Sequence, residues 1–392
     1  MNNCFIEVGS ESRCKWGQRV SGDTFLSRRI KEEGRIVAVL SDGLGSGIKA
    51  SVLSTLTASM ALKYMENHMD IEKAASVIMK TLPVCKVRRI SYATFTIIDI
   101  SSNQTVSVVE FDNPSLLCFS GNEFVQIDKK EVRIGHRKTH PAKMYLSKID
   151  ATLGDRLIFH SDGLNQSGMG KRVTPLGWGV SGVKNCIIDL VESEPLISAR
   201  SMARKLVCHA LENDGHRSGD DTTCSVIYFK NPRAMLIATG PPVDPSNDSD
   251  LATAFRNFDG DKVICGGTTA KIIARELNKT VLVDIRQLHP EIPPVSIMDG
   301  VDLVTEGIIT LSRSLEYLEA PHMPSLTRTN AALQLANMLL DNDEIVFVVG
   351  TKLNDANQMI DNKTIEIRHT IVRKLASLLE NRYLKKIVVR FL

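Results

Sequence analysis

Residues 41–47 read SDGLGSG, and residues 161–168 repeat the opening as SDGLNQSG. Each copy closes an apolar run, RIVAVLS over 35–41 and RLIFHS over 156–161. Both runs are too continuously apolar to have a solvated face, so they read as strands inside a layered fold. A glycine directly after the aspartate lets the backbone turn sharply. Asp42 and Asp162 are therefore expected to point out of the ends of their sheets.

Working outward, two more acidic loops flank strands. SGDDTT (218–223) leads into TCSVIYF (223–229), and SGDTF (21–25) precedes the first strong strand. Four such loops can converge. Converging carboxylates with no Lys or Arg beside them repel, and the usual remedy is a hard divalent cation held through oxygen and water. Two such ions, about 3.5 to 4 Å apart, would polarise a shared water and clamp a phosphoryl group for in-line attack. The plainer reading is that an Asp-Gly pair is a turn, supported by the aspartate's own backbone hydrogen bonds. Spacing alone leaves the two readings open. GLGSG also lacks the Lys-Ser/Thr ending of a P-loop and the G-x-G-x-x-G spacing, so no nucleoside triphosphate site is expected there.

Further strands are expected over 92–100 (YATFTIIDI) and 105–111. The segment IKASVLSTLTASMALKYMENH after the first acidic loop places Leu53, Leu56, Met60 and Tyr64 at helical spacing, and SARSMARKLVCHALEN around Leu206 and Ala210 reads similarly. Helices on sheets imply an α/β or α+β layered domain. Near residue 231 the texture changes: KNPRAMLIATGPPVDPSNDSD holds four prolines and a polar cluster, which reads as a boundary rather than a strand or helix. Two domains are expected, 1–232 and 233–392. The second holds DKVICGGTTAKIIARELNK (strand, Gly-Gly, helix), the strand DEIVFVVGT, and a long helix with a terminal strand, so it is a smaller α/β module.

Composition narrows the function. Forty-eight Lys and Arg against 45 Asp and Glu leave a net charge of +3, too small to imply a nucleic-acid partner. The eight cysteines, Cys4, Cys14, Cys85, Cys118, Cys186, Cys208, Cys224 and Cys265, form no C-x-x-C pair, which suits free thiols in a reducing compartment. No apolar run approaches the roughly 20 residues of a membrane span, and the first residues lack an apolar signal core. A cytoplasmic protein with no membrane partner is expected.

VSGDTF, SDGLGSGIKAS, GDRLIFHSDGLNQS and GDDTTCSVI together resemble the PPM (type 2C) protein phosphatases, in particular the bacterial group typified by the stage II sporulation E phosphatase. The motifs stand in the family's order over residues 1 to about 230. The resemblance implies an αββα sandwich of two mainly antiparallel sheets flanked by helices, with two Mn²⁺ or Mg²⁺ ions in a cleft at one end. It also implies metal ligands: Asp42 with the Gly43 carbonyl as the bridging pair, Asp162 as the second carboxylate, and Asp220 from the last motif. Asp221 stands where many relatives have Asn, and Asp23 matches the N-terminal acidic position. Asp42, Asp162 and Asp220 are then the catalytic set. Leu44 replaces the His that eukaryotic members carry after the first Asp-Gly, so the leaving oxygen is expected to take its proton from water. The phosphate-gripping Arg of some members has no clear counterpart, with Arg13, Arg28 and Arg29 as candidates.

The implied activity is hydrolysis of phosphoserine or phosphothreonine on a regulatory protein, such as a STAS-type anti-anti-sigma factor, by water bridging two metals. A homodimer is compatible with it. The rival readings are a non-catalytic scaffold that binds a phosphoprotein, and a ligand sensor acting through the C-terminal module. His160 reads as a packed strand-end residue rather than an acid. FDNPSLLCF from Phe111 resembles a segment the subgroup places near the cleft, and turn chemistry at Asn113-Pro114 explains it equally. Gly266, Gly267, Thr268 and Thr269 could bind an anion at a helix N-terminus, or Thr could simply cap the helix.

Overall fold

The computed structural model describes residues 4–81, 93–134, 142–171, 174–284, 292–320, 330–351 and 358–392. The chain divides into two compact units, Met1–Asn231 and Pro232–Leu392.

The first unit runs β1 (Phe5–Arg13), β2 (Asp23–Ile30), β3 (Arg35–Gly43), α1 (Ile48–Glu66), α2 (Ile71–Thr81), β4 (Ala93–Ile100), β5 (Thr105–Phe111), β6 (Leu117–Ser120), β7 (Glu123–Val125), β8 (Lys130–Ile134), β9 (Ala142–Asp150), β10 (Arg156–His160), α3 (Asp162–Gln166), α4 (Gly179–Ser193), α5 (Ala199–Asn213) and β11 (Thr222–Lys230). Among the described residues these strands form two antiparallel sheets, in the orders β1-β11-β10-β6-β7 and β2-β3-β4-β5-β9-β8. Strand β3 shows why the runs carry no polar alternation. Val37 and Val39 pack with α1 and α2, while Ile36, Ala38 and Leu40, equally buried, point to the opposite face. Phe25 of one sheet meets Phe159 of the other with ring centroids 6.2 Å apart. Helices α4 and α5 cover the outer face of the first sheet through Val183, Ile187, Met202 and Leu206. This is the layered sandwich expected from the motifs.

One helix packs differently from the sequence reading. The face of α1 that is buried consists of Ala50, Ser54, Thr57, Ala58, Ala61, Leu62 and Met65, whereas Leu53 is half-buried and Leu56 is exposed. Small residues let the helix axis come close to β3, and bulk at those positions would hold it away. The apolar stripe misled because the close face is the small one. Helix α5 opens with an ordinary cap: the Ser198 side chain accepts from the Ser201 amide at 3.1 Å. Ser198→Ala is expected to cost about 1 kcal/mol, read as a shift in the urea midpoint, with Ser198→Asp close to wild type.

The second unit runs β12 (Ala234–Thr239), α6 (Asp248–Asn257), β13 (Asp261–Cys265), α7 (Gly267–Glu276), β14 (Val281–Val283), β15 (Ser296–Met298), β16 (Val301–Thr305), α8 (Ile308–Glu319), α9 (Ala331–Asp341), β17 (Glu344–Val349), α10 (Gln358–Arg382) and β18 (Lys386–Phe391). Its sheet has the order β14-β15-β16-β13-β12-β17-β18, with β16, β13, β12, β17 and β18 parallel. Leu236, Ala238 and Ile264 face α6 and α7; Met235, Ile237 and Val263 face α8, α9 and α10. Helices therefore cover both faces, the smaller α/β module the sequence suggested.

The stretch read as a boundary contains a central strand. Ala234–Thr239 is β12, buried from Met235 onward and paired on both sides. The prolines at 241, 242 and 245 follow it and end it, and only residues 231–233 separate it from β11. At the entry edge, buried Lys385 donates to the Leu340 carbonyl at 2.6 Å and lies 3.4 Å from Asp343, whose other oxygen accepts from the Arg233 amide at 2.9 Å.

Among the described residues no helix is long and apolar enough to cross a membrane. Cys4, Cys14, Cys118, Cys186, Cys208, Cys224 and Cys265 are free thiols, and Cys85 lies outside the described residues.

Candidate metal centre

The antiparallel register of β2 and β3 sets Asp23 opposite Asp42. In the other sheet, β10 ends at His160 and Asp162 opens α3, while Asp220 and Asp221 lead directly into β11, the neighbour of β10. The two sheets are tied at this end by Ser161, whose hydroxyl donates to Asp23 Oδ2 at 2.7 Å and accepts from the Thr223 amide at 2.9 Å. The repeated serine thus has a structural role in each copy, since Ser41 donates to the Thr94 carbonyl at 2.8 Å.

The repeated glycine is required for space. A Cβ on Gly43 would stand 2.1 Å from the Ala50 carbonyl oxygen, and one on Gly163 would stand 2.2 Å from the Asp221 carbonyl oxygen. Each Asp-Gly pair is a point where another backbone presses against the strand end. The close approach at Gly163 sets Asp162 beside the acidic loop of β11. That at Gly43 brings α1 against β3.

The carboxylates shift one another's titration. Burial, then the charges of Asp23, Asp162, Asp220 and Asp221, push the Asp42 carboxyl up to about 9. Asp23 is pushed up to about 7, first by burial and then by Asp221 and Asp162, against the stabilising hydroxyls of Ser161 and Thr223. Asp162 is raised as well, by burial and by Asp220. Asp23 Oδ1 and Asp221 Oδ2 are buried without a hydrogen-bond partner. Unpartnered buried carboxylate oxygens are costly unless a cation meets them. Among the described residues no group of three or more His, Cys, Asp and Glu side chains is drawn together closely enough to hold an ion as they stand. The donor set, hard oxygen with buried unmet lone pairs, fits Mg²⁺ or Mn²⁺ completed by water.

Two groups escaped the sequence reading. Lys15 donates its amide to Asp221 Oδ1 at 3.0 Å, and its ammonium stands 3.6 Å from Asp220. Asp112 has a left-handed backbone, φ 57°, and its charge adds to the raising of Asp162. The FDNPS turn was its only signal. Its Asn113 is held by Thr94 and donates to Thr96 at 3.1 Å.

The cationic candidates separate. Arg13 is registered opposite Thr222, beside the acidic loop, and pairs with Glu11 at 2.7 Å. Arg28 and Arg29 sit five and six residues along β2 from Asp23, roughly 17–20 Å at strand spacing. Arg28 pairs there with Glu66 at 2.6 Å, and Arg29 lies over Phe5 and donates to the Ile6 carbonyl. His160 is fully buried, its Nδ1 lies 2.9 Å from the Ser161 carbonyl, and burial lowers it to about 4. It is a packed neutral imidazole.

Residues 32–230 match the family model of stage II sporulation protein E (SpoIIE). No curated protein matches the chain. Among solved structures, the PP2C phosphatase domain with a fragment of the regulatory domain of SpoIIE from Bacillus subtilis is 19% identical, with a TM-score of 0.47, covering 58% of this chain and 64% of that one. The chain thus spans less than two thirds of that relative's length. The RsbU and RsbW domains of a Mycobacterium tuberculosis protein are 14% identical, covering 64% and 67% at a TM-score of 0.45. RsbX in complex with magnesium is 17% identical, covering 59% and 98% at 0.39.

Proposed function

The chain belongs to the stage II sporulation protein E family, and from that premise we propose that it is a metal-dependent protein phosphatase acting on phosphoserine or phosphothreonine of a regulatory protein. The observation that carries the reading is the set of five aspartates at one end of the sandwich, two of them pushed up to about 7 and 9 by burial and mutual repulsion. A fold that accumulates such a cost without a counter-cation is built to receive one.

Asp42 with the Gly43 carbonyl, Asp23, Asp162, Asp220 and Asp221 would hold the metal, with Asp42 between the two sheets' contributions. When bound, Mn²⁺ or Mg²⁺ at two positions supplies an activated water and neutralises phosphoryl oxygens. The chain's own groups do the rest. Ser161 fixes the Asp23 carboxylate, and the Lys15 amide fixes Asp221. The Lys15 ammonium, 3.6 Å from Asp220, is the cation proposed to orient a phosphoprotein's negative charge. Leu44 offers no proton, so the chain itself supplies no imidazole acid at the first Asp-Gly. A STAS-type anti-anti-sigma protein is the proposed substrate class, on the strength of the family alone.

The test is hydrolysis of p-nitrophenyl phosphate and of a phosphoserine peptide. Activity is expected to need added Mn²⁺ or Mg²⁺, to vanish in EDTA and to return on readdition. Full turnover in metal-stripped protein under chelator would overturn the metal reading. Metal binding without turnover on any phosphoprotein would favour the scaffold.

A further inference from the structure

We infer that the second unit carries a binding site of its own for the phosphate group of a small molecule, at the N-terminus of α7. Taking its parallel strands in chain order, β16-β13-β12-β17-β18 is the order 3-2-1-4-5 of a doubly wound sheet. Such sheets bind ligands outside the carboxyl ends of their strands. At that edge β13 and β16 are registered neighbours, with Cys265 beside Thr305; β13 passes through Gly266 into α7, and β16 through Glu306 and Gly307 into α8. Gly266 and Gly307, both at φ near +140°, are the two N-caps, and a Cβ on Gly307 would lie 3.3 Å from Gly266 Cα. The two helix starts therefore lie side by side.

At α8 the carboxylate of Glu306 accepts from the Ile309 amide at 3.2 Å, whereas α7 has no capping side chain and no acidic residue in its first turn. Helices with open first-turn amides present partial positive charge. The second, independent observation is a set of buried hydroxyls. Thr269 and Thr310, the third residues of α7 and α8, are 1% and 0% exposed, and neither hydroxyl has a partner. The Thr239 hydroxyl, on the strand registered beside Cys265, is also without one. Thr269 Oγ1 lies 3.3 Å from the place a Gly266 Cβ would fill, so it is aimed into the space left over the turn. Nothing lies within 4 Å of a Cβ on Gly267, so that space is open. Open amides at the start of α7 and an unmet hydroxyl donor are the recognition chemistry of a phosphate group, while Glu306 is engaged on the first turn of the neighbouring α8.

The experiment uses the full chain labelled with ¹⁵N-glycine, in EDTA so that the first unit has no metal. Inorganic phosphate, pyrophosphate and AMP are titrated separately. Saturable shifts are expected at Gly266, Gly267 and Gly307 and not at Gly43 or Gly163. Tighter binding of AMP than of phosphate identifies an ester as ligand; the reverse identifies the free ion. Gly267→Asp puts a carboxylate at the first position of α7, where it suits the helix and has room, so the protein stays folded while the anion's affinity falls at least about tenfold. Thr269→Val, isosteric and without the hydroxyl, weakens the same titration and leaves the melting temperature at or above wild type. No saturable shift at these three glycines with any of the probes, or unchanged affinity in Gly267→Asp, would overturn the site.

Discussion

Asp42→Asn is expected to lower turnover by about two to three orders of magnitude at saturating Mn²⁺ while making the metal-free protein more stable. The loss follows from removing the carboxylate proposed to hold the metal opposite Asp23. The gain follows from titration. An unfolded aspartate ionises near 4, but in the fold burial and four neighbouring aspartates push Asp42 up to about 9. A carboxyl whose folded value is raised binds its proton more tightly in the native state, so native stability falls as pH rises from about 4 and levels off only above about 9. Asn imitates the protonated form at every pH. The metal-free variant should therefore match wild type near pH 4 and exceed it increasingly toward pH 9, with Asp23, pushed up to about 7, leaving a residual slope below neutrality. Thermal melts of both proteins in EDTA across that range, and turnover with Mn²⁺, measure the two effects. A variant with wild-type turnover would remove Asp42 from the centre. A variant less stable than wild type at pH 8 would show that neither burial nor repulsion raises Asp42 in the fold.

The same aspartates explain why so much of the site was legible before any coordinates. An Asp-Gly at the end of a run with no polar alternation is a local pattern, and its consequence, a carboxylate leaving the end of a sheet, is local too. What joins the four loops is not local. Phe5 pairs with Lys230 across the length of the unit, and Asp23 meets Ser161 from the other sheet. Nothing in either segment alone announces these partners. Lys15 was passed over because its link to the centre runs through a main-chain amide, which carries no side-chain signature. β12 was hidden by its surroundings: six apolar or small residues stand among four prolines, and the prolines at 241 and 242 terminate the strand rather than exclude it. The face of α1 was misread because burial there rewards small volume over hydrophobicity.

That tight face leads to the second large effect, at Gly43. Gly43→Ala is expected to cost about 1–3 kcal/mol of stability and about a hundredfold in turnover, although it touches no carboxylate. The added methyl would meet the Ala50 carbonyl oxygen at 2.1 Å, its carbon at 2.7 Å and its Cα at 2.9 Å. All three are backbone, so no side chain can swing aside. Either the first turn of α1 moves off β3 or the end of β3 moves away from it. Moving α1 disturbs Ala50 and Ser54, which pack that helix on the sheet, together with the 2.8 Å bond between Thr24 and Ser54. Moving β3 displaces Asp42 and the Gly43 carbonyl from their places opposite Asp23, and a misplacement of about 1 Å is enough to cost the centre most of its rate. Because the obstruction is the main chain of residue 50 and not its methyl group, Ala50→Gly should fail to rescue Gly43→Ala. Urea denaturation with turnover at saturating Mn²⁺, on both single variants and the double, settles the matter: rescue by Ala50→Gly, or an unaltered rate in Gly43→Ala, would mean that the approach of α1 does not fix Asp42.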